Sequence, residues 1–301
     1  MPPYAYALAS ALLWALAVPI LNRGLGRLPV ASFAAVVPGL LVSMSAGTLA
    51  LATFALPLDG LRAVTLATVL AGVFTYPLAT GLYYMAGFAF GTRTEFAAQF
   101  AKIKPLFSAL IALLVLGETV SSQQALPLAL MVGGIALFYL GLPRRRATRM
   151  AVGLGLLTAL SWAVGEAFVK MGFDGSNSLD QAFVALAAGT LLAWALYLPA
   201  RAAGLRAVPW RADWLWPFAL HGVISFGLAY TLFFHSIATL GLYRTVVINA
   251  FWPFLSILVV KAVQQAVGRQ PAQPVPLTVW LASLLLLLAS LVEIALQHRA
   301  A

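Results

Sequence analysis

Apolar runs long enough to cross a membrane recur ten times along this chain, at roughly 4–21, 31–55, 64–88, 93–117, 122–142, 151–171, 181–199, 213–238, 243–266 and 276–297. A span needs about 20 predominantly apolar residues. Because lipid offers the backbone no hydrogen-bond partners, only helices and closed barrels can occupy it. The runs here are continuous and do not alternate apolar with polar residues, so they predict helices and not a barrel. The segments between them are short and rich in Gly, Pro and Arg, leaving no room for a soluble domain. The predicted fold is an all-α membrane protein of ten transmembrane helices.

Composition narrows the function. Of the 301 residues, 62% are hydrophobic and 9% charged, against about a quarter charged in a soluble domain. The net charge of +10 does not point to nucleic acid, because the arginines cluster in short loops between apolar runs. With no cysteine, disulfides and thiolate metal sites are excluded. His221, His235 and His298 are too scattered for a metal motif, and no cofactor is expected. Gly24–Pro29, "GLGRLP", lacks the strand and the third glycine of a nucleotide fingerprint. The opening run "MPPYAYALASALLWALAVPIL" lacks the basic n-region of a secretory signal and is expected to be retained as the first span.

The chain also resembles itself. Ala9–Ala15, "ASALLWA", lies against Leu157–Ala163, "LTALSWA", at an offset of 148, pairing Trp14 with Trp162. The same offset puts Pro105 on Pro253, Ser108 on Ser256 and Leu110 on Leu258. Two five-helix repeats follow, 1–148 and 149–301. Five is odd, so the second repeat enters the membrane from the opposite side, the inverted arrangement that many secondary transporters build around a mid-membrane cavity. Eleven arginines lie in the odd-numbered loops and four basic residues on the terminal side, which places both termini outside the cytoplasm by the positive-inside rule. The expected location is a bacterial-type inner membrane.

Pro105 followed by an apolar stretch, then "LGE" at Leu116–Glu118 and polar "TVSSQQ", resembles the end of an EamA domain. Trp14 and Trp162, each early in its half, fit the same pattern. Two such domains make the ten-helix transporters of the drug/metabolite transporter superfamily, and the resemblance covers essentially the whole chain. "NAFWPFLSIL" at Asn249–Leu258 is similar to a segment of bacterial aromatic amino-acid exporters. The second half departs from the pattern, placing Ala266 opposite Glu118. Members of the family are often drawn with cytoplasmic termini, against the arginine bias found here.

Charged residues inside spans cost about 2.5–3.5 kcal/mol on insertion scales, so they normally face a bundle interior or watery cavity. Glu95, Gln99 and Lys102 fall at i, i+4 and i+7, one stripe of a helix, with Lys102 placed to meet a substrate carboxylate. Lys104 falls on another face, where snorkelling or internal pairing is the expectation. Glu166 and Lys170 have the spacing of an intrahelical ion pair, and their repeat mates are the uncharged Val18 and Asn22. His221, Ser225 and His235 come back to one side of the eighth span at 100° per residue, and a histidine there can relay protons. Asn249, Trp252 and Ser256 share a face around Pro253, which with Pro105 forms a pair of candidate hinges. Trp14, Tyr83, Trp162, Tyr230 and Trp252 are the aromatic candidates for stacking on a flat substrate; Trp210, Trp214 and Trp216 read as an interface belt.

These readings converge on a secondary transporter that exports small amphiphilic metabolites, amino acids first, by alternating access. The partners are then the substrate and the bilayer, with protons the candidate coupling ion and a monomer as the working unit. A multidrug or cationic-compound exporter is the nearest alternative, and a non-transport integral membrane protein the next. No clustered Asp/His constellation suggests an enzyme.

Overall fold

The computed structural model describes residues 2–28, 33–55, 64–89, 103–140, 147–173, 177–204, 211–266 and 276–300. Among the described residues there is no strand, and nine helices are long and apolar enough to cross a membrane. They are Pro3–Leu25, Val36–Thr53, Leu66–Gly87, Ser122–Leu140, Val152–Met171, Ser178–Ala202, Leu215–Leu240, Leu242–Ala266 and Leu277–His298. The shorter apolar helix Lys104–Leu114 stands where the fourth span was expected. Helix ends fall within a few residues of the hydropathy boundaries, and local chemistry fixes several of them. Thr65 Oγ1 accepts from the Thr68 amide at 3.0 Å, Asn177 Oδ1 from the Leu179 amide at 3.1 Å, and Ser121 and Gln124 form a capping box ahead of the fifth span.

Neighbouring spans run in opposite directions, and contacts at their ends show it. Tyr6 of the first span stacks edge-on against His235, near the end of the eighth, and His235 Nδ1 lies 2.9 Å from Ser178 Oγ at the start of the seventh. Thr68, opening the third span, sits against Gly172 at the end of the sixth. At the other face, Arg27 after the first span donates to the carbonyl of Asp213, at the start of the eighth. That carbonyl is free because Pro217, four residues on, has no N–H. The first span therefore begins at the level where the sixth ends, so the two run antiparallel.

The packing pairs follow the 148-residue repeat. The first span packs on the eighth and ninth, and the sixth on the third and fourth. The second packs on the eighth and the seventh on the third. Adding 148 to either partner list gives the other. The pairs second–seventh, fourth–ninth and fifth–tenth are their own mates. The halves thus interdigitate, and most of the buried surface of each lies against the other.

Two wide π-helical stretches interrupt the α-helices: Phe74–Thr80 in the third span and Gly222–Ala229 in the eighth. Their first residues are 148 apart. Both adjoin close backbone crossings. A Cβ on Gly222 would meet the Ser43 carbonyl of the second span, and one on Gly72 the Ala185 carbonyl of the seventh. The ninth span breaks at Ala250–Phe251 and resumes as the helix Trp252–Ala266 with Pro253 at its second residue; Lys104–Leu114 likewise has Pro105 second. Lys104 and Trp252 are again 148 apart. The paired prolines therefore sit at helix starts, where the missing N–H costs nothing, and not inside continuous helices as expected from sequence.

Candidate functional site

A cavity of about 40 Å³ lies inside the bundle, reached by side chains of the first, third, fourth, sixth, eighth and ninth spans. That is space for roughly two to four waters. Its walls come in repeat-related pairs. Trp14 and Trp162, equivalent at offset 148, both line it, and so do Lys104 and Trp252. Trp14 is midway along the first span, so the cavity is at mid-membrane depth. Tyr83, Tyr230 and Phe226 complete an aromatic lining. Trp14 packs edge-on against Tyr230 at 4.9 Å and lies 6.0 Å from Trp252, while Tyr83 is 5.3 Å from Trp162. The indole N–H of Trp162 donates to the carbonyl of Thr75, in the third-span π stretch, at 3.1 Å.

Among the described residues, charge enters from one side. Lys104, 4% exposed, donates to Glu166 Oε1 at 2.5 Å, and the Ser108 hydroxyl donates to Glu166 Oε2 at 2.6 Å. The ammonium lies over three rings, 4.8 Å from the centre of Phe233, 5.2 Å from Trp14 and 6.0 Å from Trp162. A desolvated cation on an aromatic face gains about 2 kcal/mol, and a salt bridge at this depth needs such additional partners to offset its desolvation. At the repeat-equivalent positions stand Trp252 and Val18, both lining the same cavity without charge. The ion pair therefore breaks the repeat symmetry at these two positions.

Several expectations from sequence land elsewhere. Glu166 bonds Lys104 and Ser108 across the bundle, and not Lys170 on its own helix. Glu95, Gln99 and Lys102 lie outside the described residues, as does Trp210. Lys104, set on a different face by uninterrupted helical counting, is the lysine that reaches the cavity. His221 and Ser225 line it, but His235 does not: the π stretch between them takes additional residues per turn and rotates the phase, and His235 is held by Ser178 and Tyr6. Asn249 also turns away. Its amide donates to Ala7 O at 3.1 Å and to Ser10 Oγ at 2.9 Å, fastening the ninth span to the first, because the break at Ala250–Phe251 separates its face from that of Trp252. Trp216 does sit at the surface, under Arg23 at 5.0 Å.

Sequence gave no physical role for the "GE" at Gly117–Glu118. Gly117 adopts φ 66°, and Glu118 then reaches the start of the ninth span, accepting from the Leu242 amide at 2.8 Å and the Tyr243 amide at 2.9 Å. One carboxylate satisfies two of the unpaired N–H groups of a helix N-terminus.

Residues 149–265 match the EamA-like transporter family. The chain carries an EamA-like transporter domain. By its nine described apolar spans it is a multi-pass membrane protein, and the inverted pairing of those spans is consistent with that family. The EamA-like chain matches no curated protein. Among solved structures, one described as "Crystal structure of protein" superposes with a TM-score of 0.64 at 19% identity, covering 98% of each chain. That likeness is one of fold and runs over both halves of the chain.

Proposed function

We propose that this EamA-like transporter exports small amphiphilic metabolites, amino acids first, by alternating access across the bacterial-type inner membrane. The observation that carries the reading is the Lys104 ammonium on the wall of a mid-membrane, aromatic-lined cavity. A carboxylate docks on that cation, and an apolar or aromatic side chain packs against Trp14, Trp162 and Tyr230. Glu166 holds Lys104 while the site is empty, and the incoming carboxylate replaces it. The cavity as it stands admits only waters, so the substrate enters when the ring walls move apart, with the helix starts at Pro105 and Pro253 as the places where movement is absorbed. The repeats 1–148 and 149–301 rock against each other in this scheme, with the termini outside the cytoplasm and a monomer as the working unit. Protons, with Glu166 as their acceptor, are the coupling ion we favour.

A cationic-drug exporter is the second reading. It would need a carboxylate open to the cavity, whereas both oxygens of Glu166 are already engaged by described residues. A non-transport membrane protein would have no use for a buried ion pair over three aromatic rings.

The deciding experiment is a substrate panel in proteoliposomes, with and without a pH gradient. Neutral and aromatic amino acids should exchange, and Lys104→Met combined with Glu166→Leu, which removes the pair without stranding either charge, should abolish their flux while leaving the inserted protein intact. Flux of cationic dyes in place of amino acids would establish the second reading.

A further inference from the structure

A chain of three hydrogen bonds runs from the cavity wall into the second span. His221 Nδ1 lies 3.0 Å from the Tyr84 hydroxyl, Tyr84 lies 3.0 Å from Ser43 Oγ, and Ser43 Oγ lies 2.7 Å from the Phe218 carbonyl. All four residues are buried. A carbonyl can only accept, so the single hydroxyl proton of Ser43 goes to Phe218. Ser43 must then accept from Tyr84, whose only proton is thereby spent. The remaining contact needs a donor, and in the neutral ring that donor is His221 Nδ1–H. Three contacts share three protons, and one arrangement fills them all. It leaves His221 Nε2 as a bare lone pair on a ring that lines the cavity, and no described residue bonds that nitrogen.

Resting on the amino-acid reading above, we propose that His221 is a specificity-determining hydrogen-bond acceptor, fixed in that role by Tyr84 and Ser43 as positioning residues. Phe233, beneath Lys104, and His221 are twelve residues apart on the eighth span, so the ammonium and the imidazole stand at different levels of one cavity. Rings of Tyr230 and Phe226 bridge the interval, and His221 stacks edge-on against Phe226 at 5.2 Å. The ligand this arrangement selects has a carboxylate at one end, a flat apolar middle and a hydrogen-bond donor at the far end. A far end that only accepts would face another lone pair and be rejected.

The test has two arms. In the first, the full-length protein is reconstituted in lipid with 15N-histidine and the ring nitrogens are read by solid-state NMR, with the His221 signals assigned by their loss in His221→Gln. Nδ1 should be protonated and Nε2 bare. An Nε2–H tautomer, or a ring protonated on both nitrogens, overturns the proposal. In Ser43→Ala the Tyr84 proton is released to His221 Nδ1, so the tautomer should invert; an unchanged tautomer overturns the relay. The second arm measures binding of L-tyrosine, whose phenol donates, against O-methyl-L-tyrosine, which only accepts. Wild type should prefer tyrosine by about tenfold, and Ser43→Ala should reverse or erase the preference. Equal binding to wild type overturns the selection. Binding of neither probe defeats the amino-acid reading of the cavity, and the nitrogen spectra, which need no ligand, separate that failure from failure of the relay.

Discussion

Glu166 is the residue on which the cavity wall is balanced. Removing one partner of a buried ion pair leaves the other charge uncompensated, which costs about 3–5 kcal/mol, whereas replacing both by apolar groups is often neutral. Glu166→Leu alone should therefore lower the thermal unfolding midpoint in detergent, and Lys104→Met with Glu166→Leu should recover it. The double variant is stable and should carry no amino-acid flux, which separates the structural role of the pair from its role in binding. That Glu166 is a buried charge was legible in the sequence, from its place inside a span, and its asymmetry from Val18 at the equivalent position. Its partner was not. Counting 100° steps from Glu95 to Lys104 assumes one unbroken helix, yet Ile103 lies in a 3-10 turn and a helix starts at Lys104 beside Pro105. The i, i+4 spacing to Lys170 offered a local partner that the tertiary structure overrode.

Caps and crossings govern the elements. Glu118→Ala withdraws two acceptors from the start of the ninth span, and loss of a side-chain cap costs about 1–2 kcal/mol. Amide exchange should speed up first in the Leu242–Asn249 turns, with other spans keeping their protection. Gly241, between the two, has φ 87° and a would-be Cβ 3.1 Å from Glu118 Oε1, so Gly241→Ala should be at least as disruptive. Gly222→Val drives a side chain into the Ser43 backbone. It should part the second and eighth spans and leave little folded protein in the membrane, seen as loss of the folded-protein peak on size exclusion. The nine described spans and the shorter helix Lys104–Leu114 were readable from hydropathy alone, because lipid leaves the backbone no other solution. The π stretches were not: nothing in the composition of Phe74–Thr80 or Gly222–Ala229 marks them, and they shifted His235 off the face that α-helical counting gave it.

At the scale of the whole molecule, the offset of 148 was visible in seven matched residue pairs and reappears in three independent structural features: the packing pairs, the π stretches and the helix starts at Lys104 and Trp252. The interdigitation of the halves was not visible, since periodicity within a chain says nothing about which copy a span packs against. It predicts that 1–148 expressed alone will not give a stable bundle, whereas co-expressed halves should assemble, measured by co-purification. Because the chain has no cysteine, a single Val18→Cys is a clean reporter of the cavity: an impermeant maleimide should label it, and a transported amino acid should slow the labelling. The same approach at each end of the chain, with protease access as the readout, settles the orientation. Finally, in the proposed alternating-access scheme two identical inverted halves would make the inward-open and outward-open shapes equivalent by a two-fold rotation and equal in energy. Here a lysine faces a tryptophan across the pseudo-axis, and a glutamate faces a valine. That mismatch lifts the degeneracy, so an unloaded carrier rests facing one side of the membrane, and cargo need tip only the smaller remaining difference to turn it round.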